Sequence, residues 1–246
     1  MTPFVSMPSP NFNDRDPTVK LDCVILHYTD MESAEAALTR LCDPKAEVSA
    51  HYMIDEDGTI YALVAEEKRA WHAGKSFWRG VTDMNSASIG VELVNPGHSC
   101  GYRPFPDSQI AALKNLLAAI VKRTGIDAAN IIGHSDVAPG RRPDPGELFP
   151  WRDLAQSGFG LWPEAGENDE TPMEKDAAAL LAAIGYKPPA NEEELRQTLR
   201  AFQSHFAQQN LTGKADPETL ARLYALKKIM KKREESRPSE APPPRI

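Results

Sequence analysis

Between Ile131 and Trp151 the sequence reads IIGHSDVAPGRRPDPGELFPW, and this segment limits the possible folds more than any other. Ile131-Ile132-Gly133 has the length and composition of a short buried strand. It runs directly into His134. Beyond that point glycine and proline recur so closely that no regular element can cross the segment. Asp144 lies between Pro143 and Pro145, which hold the backbone extended and bar a helix. Far upstream a second apolar run, Val24-Ile25-Leu26, ends in His27.

The rest of the first 163 residues alternates apolar strands with helical stretches. Val19 to Tyr28 reads as a strand. Met31 to Leu41 has helical spacing, with Asp30 as the N-cap. Ala50–Ile54 and Thr59–Val64 flank Asp57-Gly58, a strong hairpin signal. Ser88 to Val94 is another strand, closed by Asn95-Pro96-Gly97. Asp107 to Thr124 is an amphipathic helix that stops at Gly125. The economical fold class is α/β, a mixed central β-sheet flanked by helices.

Punctuation divides the chain further. Residues 1–17 read as an extended arm and 18–163 as the main domain. Residues 164–172, acidic and turn-rich, read as a linker. Three helical patterns occupy 173–232. Glu174 to Ile184 is rich in Ala and Leu. Glu192 to Gln208 carries Leu195, Leu199, Phe202 and Phe206 on one face. Pro217 to Lys231 carries Leu220, Leu223 and Leu226, with Asp216 as N-cap. They make a small three-helix bundle near the lower size limit for independent folding. Residues 233–246 are charged and proline-rich, and read as a disordered tail.

Charge and composition remove several function classes. A net charge of -7 lacks the basic footprint of a nucleic-acid binder. No run approaches the roughly 18 apolar residues of a membrane span. Three scattered cysteines, Cys23, Cys42 and Cys100, do not form a disulfide framework and fit a reducing compartment. The first residues show neither a basic nor an apolar signal region, so the expected location is the cytoplasm, with the periplasm as the alternative.

Two histidines and a carboxylate, each where a strand or turn stops, are the ligand types of a catalytic zinc site, in which three protein ligands leave a fourth position open. Taken singly, His27 reads as an ordinary strand-end histidine and Asp144 as a turn residue. His51 reads as structural. His98 and His205 read as surface or packing residues. Glu92, inside Ile89-Gly90-Val91-Glu92-Leu93, is either an outward-facing glutamate on an alternating strand or a buried carboxylate with a purpose. Alternation alone does not choose between these.

The ordered segments ILHYTD, SAHYMIDEDGTIY, AWHAG, NSASIGVELVN and GHSDVAPGRRPDPGELFPW resemble the zinc N-acetylmuramoyl-L-alanine amidases of the type-2 amidase family, which includes the peptidoglycan recognition proteins. The similarity covers roughly residues 19 to 163. The C-terminal segments GYKPP, AFQSHF and GKADPETLARL resemble the small three-helix peptidoglycan-binding domain.

The resemblance implies one zinc ion per chain, held by His27, His134 and Asp144. It implies Glu92 as the base that takes a proton from the attacking water and delivers it to the leaving amine. Arg142 falls where many members carry a lysine two residues before the last ligand. Arginine can stabilise an oxyanion but is a poor proton donor, so proton delivery rests on Glu92. The substrate implied is the amide between N-acetylmuramic acid and the L-alanine of a stem peptide, and the partners are peptidoglycan fragments (muropeptides).

A cytoplasmic enzyme would meet these as recycled anhydro-muropeptides. The bundle would then shape or pack the enzyme, and a chain ending near Pro163 would keep activity on soluble substrate unless loss of the bundle exposes its docking face and destabilises the enzyme. Stem carboxylates call for cations, and Arg69 and Arg141 are candidates, with His72 as a groove residue. Trp71, Trp78 and Tyr28 are candidates for packing on sugar or peptide. Three alternatives stand: action on intact periplasmic wall, a non-catalytic recognition protein, or another zinc hydrolase. For the last, the commonest helix-borne motif, H-E-x-x-H, is absent.

Overall fold

The computed structural model describes residues 4–164 and 176–236. Its first half contains β1 (Phe4–Ser6), β2 (Phe12–Asp14), β3 (Cys23–Tyr28), α1 (Ala34–Cys42), β4 (Tyr52–Ile54), β5 (Ile60–Ala62), β6 (Lys68–Ala70) and the single-turn α2 (Met84–Ala87). There follow β7 (Ser88–Leu93), the single-turn α3 (Gly97–Cys100), α4 (Asp107–Thr124), β8 (Ile131–Gly133), and the short α5 (His134–Val137) and α6 (Trp151–Gln156). The C-terminal helices are α7 (Ala177–Ile184), α8 (Glu192–Phe206) and α9 (Pro217–Ser236).

Six strands form one mixed sheet in the order β1-β5-β4-β7-β3-β8. Strands β4, β7, β3 and β8 run parallel, and the β4–β5 hairpin supplies the antiparallel pair. The pleat sorts side chains by parity. Val24, Leu26 and Tyr28 of β3 join Ile89, Val91 and Leu93 of β7 in a core with α4. Cys23 and Ile25 join Ile132 of β8 on the opposite face, in a second core. That core continues through Val137 of α5 into Leu181 of α7, Leu199, Phe202 and Phe206 of α8, and Leu223 and Leu226 of α9. The C-terminal helices are therefore the outer layer over one sheet face.

A polar cluster fastens the same contact. Asp136, in α5, is 1 % exposed. Its carboxylate accepts from Gly133 N–H (2.8 Å), the Tyr186 hydroxyl (2.5 Å) and His205 Nδ1 (2.7 Å). His205 is stacked against Trp151 and Phe206, with ring centroids 3.7 Å away in each case. A buried carboxylate with three donors is satisfied rather than costly.

Several boundaries move. The extended N-terminal arm is docked on the main domain. β1 adds to the sheet beside β5, β2 pairs with β6, and Arg15 donates to the carbonyls of Glu66, Asn85, Ser86 and Ser88. Helix α1 starts later than its apolar spacing suggests, because Ser33 caps it by accepting from Ala36 N–H. Asp30 instead takes a left-handed φ of 53° and accepts from Ser99. Helix α9 continues to Ser236, into the segment read as tail. Residues 237–246 of that tail and 165–172 of the expected linker lie outside the described residues.

Candidate active site

Parallel strands gather their C-terminal ends at one edge of the sheet, where ligands of open α/β sheets bind. Here β3 ends in His27-Tyr28, β7 in Glu92-Leu93, and β8 runs into His134. The loop 138–146 returns Asp144 to the same edge, where its carbonyl accepts from Ser135 N–H (2.8 Å). His27 Nδ1, His134 Nδ1 and Asp144 Oδ2 converge in a triangle with sides of 2.9, 2.9 and 3.0 Å. All three residues are buried.

Hydrogen bonding on the far side of the His27 ring assigns its proton. Ser88 Oγ donates to the Met84 carbonyl (2.5 Å), so its oxygen accepts from His72 Nε2–H (3.3 Å). His72 Nδ1 is then bare and accepts from His27 Nε2–H (3.0 Å). His27 Nδ1 is therefore unprotonated. On the other side, His134 Nε2 lies 3.1 Å from the Ala73 carbonyl and 3.2 Å from the Arg141 guanidinium. Two imidazole nitrogens and a carboxylate oxygen thus converge in a buried pocket, and that donor set fits zinc.

Burial pushes His27 down to about 4, the neighbouring His134 ring adds to the shift, and Asp144 opposes it. Burial opposes ionisation of Asp144, but the His134 and His27 rings outweigh it and hold the carboxyl well below its ordinary range. Burial, with His27 and His51 beside it, holds His72 well below the usual imidazole range.

Glu92 shares this face. It is the register partner of His27 across β3 and β7. Its Oε2 is buried and has no hydrogen-bond partner among the described residues. Burial and the Asp144 carboxylate push it well above the ordinary carboxylate range, and Arg142 opposes the shift. Both His27 and Glu92 line a cavity of about 530 Å³ with Tyr28, Trp71, His72 and Arg142.

Close packing beneath the cavity depends on Gly90. A Cβ there would meet the His72 ring at 2.5 Å. His51 lies beyond His72 and is fully buried. Its Nδ1 accepts from Gly90 N–H (2.9 Å), and its Nε2 donates to the Lys68 carbonyl (3.0 Å). Asn85 holds the neighbouring loop by accepting from His72 N–H (3.0 Å) and Ala73 N–H (2.7 Å).

Other expected site residues separate. Arg69 is outside the cavity lining; its guanidinium is committed to Asp83 (2.9 Å) and Asn13 (3.3 Å), so it is a structural ion pair. His72 does line the cavity, yet its two nitrogens serve His27 and Ser88. Arg141 also lies outside that lining and donates to the carbonyls of Ala73 (2.6 Å) and Lys75 (3.0 Å). Arg142 is exposed at the rim. Trp78 is 4 % exposed and packs on Tyr186 in the core, unavailable to a sugar.

Sequence reasoning missed Arg40, which α1 carries to the cavity, because nothing local distinguishes it from other surface arginines. His98 reads from the sequence as a surface or packing residue. His98 lines the cavity, bonded to the Tyr28 hydroxyl (2.8 Å) and facing Glu147 (3.3 Å).

Residues 17–147 match the Amidase_2 family, described as N-acetylmuramoyl-L-alanine amidase. The chain belongs to this family. The amidase is 40% identical to N-acetylmuramoyl-L-alanine amidase AmiD of Escherichia coli K12 over 232 residues, which cover 84% of this chain and 82% of AmiD. It superposes on the solved complex of E. coli AmiD with anhydro-N-acetylmuramic acid-L-Ala-D-gamma-Glu-L-Lys, with a TM-score of 0.77, 35% identity and coverage of 89% of this chain and 98% of that one. The complex of Pseudomonas aeruginosa AMPDH3 with an anhydromuramic pentapeptide gives a TM-score of 0.79 at 34% identity, covering 90% and 97%. These matches cover a larger share of the chain than the family match of residues 17–147. No described helix is long and apolar enough to cross a membrane.

Proposed function

We propose that this amidase hydrolyses the amide joining the lactyl group of 1,6-anhydro-N-acetylmuramic acid to the L-alanine of soluble stem peptides. The observation that carries the reading is the buried triangle of His27 Nδ1, His134 Nδ1 and Asp144 Oδ2 beside an unpartnered Glu92 oxygen. The two solved relatives with anhydro-muramyl ligands support the sugar form.

His27, His134 and Asp144 would hold one zinc ion per chain, which would polarise the scissile carbonyl and make the attacking water more acidic. Glu92 takes a proton from that water on its carboxylate and delivers it to the departing alanine nitrogen. Arg142, at the cavity rim, supplies a permanent positive charge for the oxygen of the tetrahedral species. His72 holds His27 in the tautomer that leaves Nδ1 free.

Parallel digestion of soluble anhydro-muropeptides and intact sacculi, with mass-spectrometric product analysis, tests the reaction. Free anhydro-N-acetylmuramic acid and a peptide beginning with L-alanine are expected, released faster from the soluble substrate. Cleavage inside the peptide, or faster release from sacculi, would overturn the reading. Metal analysis tests the ligands: one zinc per wild-type chain, lost in His134→Ala. Stoichiometric zinc at unchanged affinity in that variant would remove the assignment.

A further inference from the structure

A second cavity, of about 480 Å³, opens beside the first. The two share His98, Arg142 and Pro143 in their linings, so the second cavity lies next to the first. The volume lies within the usual range for ligand sites. One wall is the loop bearing Arg141 and Arg142. The other is helix α8, which presents Arg196 and Arg200.

The cleft is strongly cationic although the protein carries a net charge of -7. Four guanidiniums line it against one carboxylate, Glu147. Arg141 bonds to the carbonyls of Ala73 and Lys75, and Arg200 to the carbonyl of Leu211 (2.9 Å). Those partners are neutral; the nearby carboxylates are Asp144 for Arg141 and Glu147 for Arg200. The Arg142 guanidinium has no hydrogen-bond partner among the described residues. Arg196 is paired with Glu193 (2.6 Å). The Glu147 carboxyl is held below its usual range, first by its hydrogen bond to His98, with Arg200 contributing.

The two walls are fixed relative to each other. Gly140, at φ +73°, lets the arginine loop lie against α8, where a Cβ would meet Gln197 Oε1 at 2.1 Å. Gln208 Nε2 donates to the carbonyls of Glu147 (2.6 Å) and Phe149 (2.7 Å). The Asp136–Tyr186–His205 cluster holds the base of the same contact. A rigid cleft loses little freedom on binding.

We infer that this cleft binds the carboxylates of the stem peptide beyond L-alanine, so that helix α8 forms part of the substrate site. The inference rests on the amidase reading above. A glutamyl residue linked through its γ-carboxyl keeps a free α-carboxylate, and the last residue of the stem adds another. Two carboxylates on an extended chain leaving the metal triangle match guanidiniums on both walls. The C-terminal helices thus act in recognition through their contact with the amidase sheet.

Two substrates test this: anhydro-N-acetylmuramoyl-L-Ala, and the same molecule extended to L-Ala-D-γ-Glu-L-Lys. The readout is the ratio of kcat/KM values, longer over shorter. In Arg200→Gln this ratio should fall roughly 10-fold, equivalent to about 1.4 kcal/mol. Arg200→Lys should recover most of it, and added salt should reduce the wild-type ratio. Arg200 is exposed, so the substitution leaves the core intact. Calorimetry of the free tripeptide L-Ala-D-γ-Glu-L-Lys with the wild-type enzyme should show binding that weakens with salt. If wild type hydrolyses neither substrate, the amidase reading fails. If it hydrolyses both and Arg200→Gln leaves the ratio unchanged, or tripeptide binding is insensitive to salt, the cleft assignment alone fails.

Discussion

His27 and Glu92 are register partners across the parallel β3–β7 ladder, and their side chains leave the sheet on the same face. A metal ligand and a carboxylate with a raised proton affinity are thereby held side by side by backbone hydrogen bonds rather than by loops. A site mounted on adjacent strands needs little reorganisation during reaction.

Glu92→Gln removes the proton acceptor while keeping volume and shape. Turnover should fall at least roughly 100-fold, the usual contribution of a general base. Zinc content and melting temperature should stay near wild type. Near-normal turnover in a zinc-loaded variant would show that another group moves the proton.

His72→Ala breaks the chain of hydrogen bonds from Met84 through Ser88 to His27. Zinc affinity should drop roughly 10- to 100-fold, as for other groups that orient a metal ligand. Competition with a calibrated chelator measures it. Unchanged affinity would mean that β3 alone orients His27.

Arg142→Lys should keep much of the activity, because a cation remains at the rim. Arg142→Ala should lose roughly 2.7–4 kcal/mol of transition-state stabilisation. Steady-state kinetics on the soluble anhydro-muropeptide decide between them. Equal rates for wild type and the alanine variant would make Arg142 a solvated loop charge.

A chain truncated after Pro163 should not keep a cooperative fold. The cut exposes Ile25, Ile132 and Val137, which α7–α9 cover, and removes both donors that His205 and Tyr186 give Asp136. Within the full chain, Phe202→Ala should cost roughly 3–5 kcal/mol. Urea melts followed by tryptophan fluorescence report both. A truncated enzyme with a wild-type midpoint would show that the sheet face is stable uncovered.

Acid should destabilise the protein through His51. Burial, with the Arg15 cation adding to it, pushes this ring down to about 4 from 6.5. The unfolded chain therefore binds the proton first as pH falls. Stability is intact above about pH 6.5 and is lost progressively towards pH 4, by up to roughly 3 kcal/mol at 1.36 kcal/mol per unit. His27 titrates in the same window in metal-free protein. Thermal melts of wild type and His51→Gln between pH 7.5 and 4.5 should show a shallower decline for the variant. Parallel declines would exclude His51 as a contributor.

Local chemistry made much of this legible in the sequence. Ile131-Ile132-Gly133 could only be a short buried strand, and Gly125 ends α4 where expected. Asp144 between two prolines could not lie in a helix, and it sits in a turn rather than in extended chain. Residue type and place marked His27, His134 and Asp144 as potential ligands, because few side chains offer a suitable lone pair. Three matters waited for the tertiary structure. The face taken by Glu92 depends on register with β3, which couples residues some 65 positions apart. The role of His72 depends on Gly90 having no side chain beneath it and on a proton assignment that passes through Ser88. The use of α8 depends on which surface its apolar stripe covers. Sequence periodicity shows that a stripe exists but not what it meets. Local propensity and motif chemistry act within a few residues, whereas register, packing partners and charge neighbourhoods are decided only when distant segments share one core.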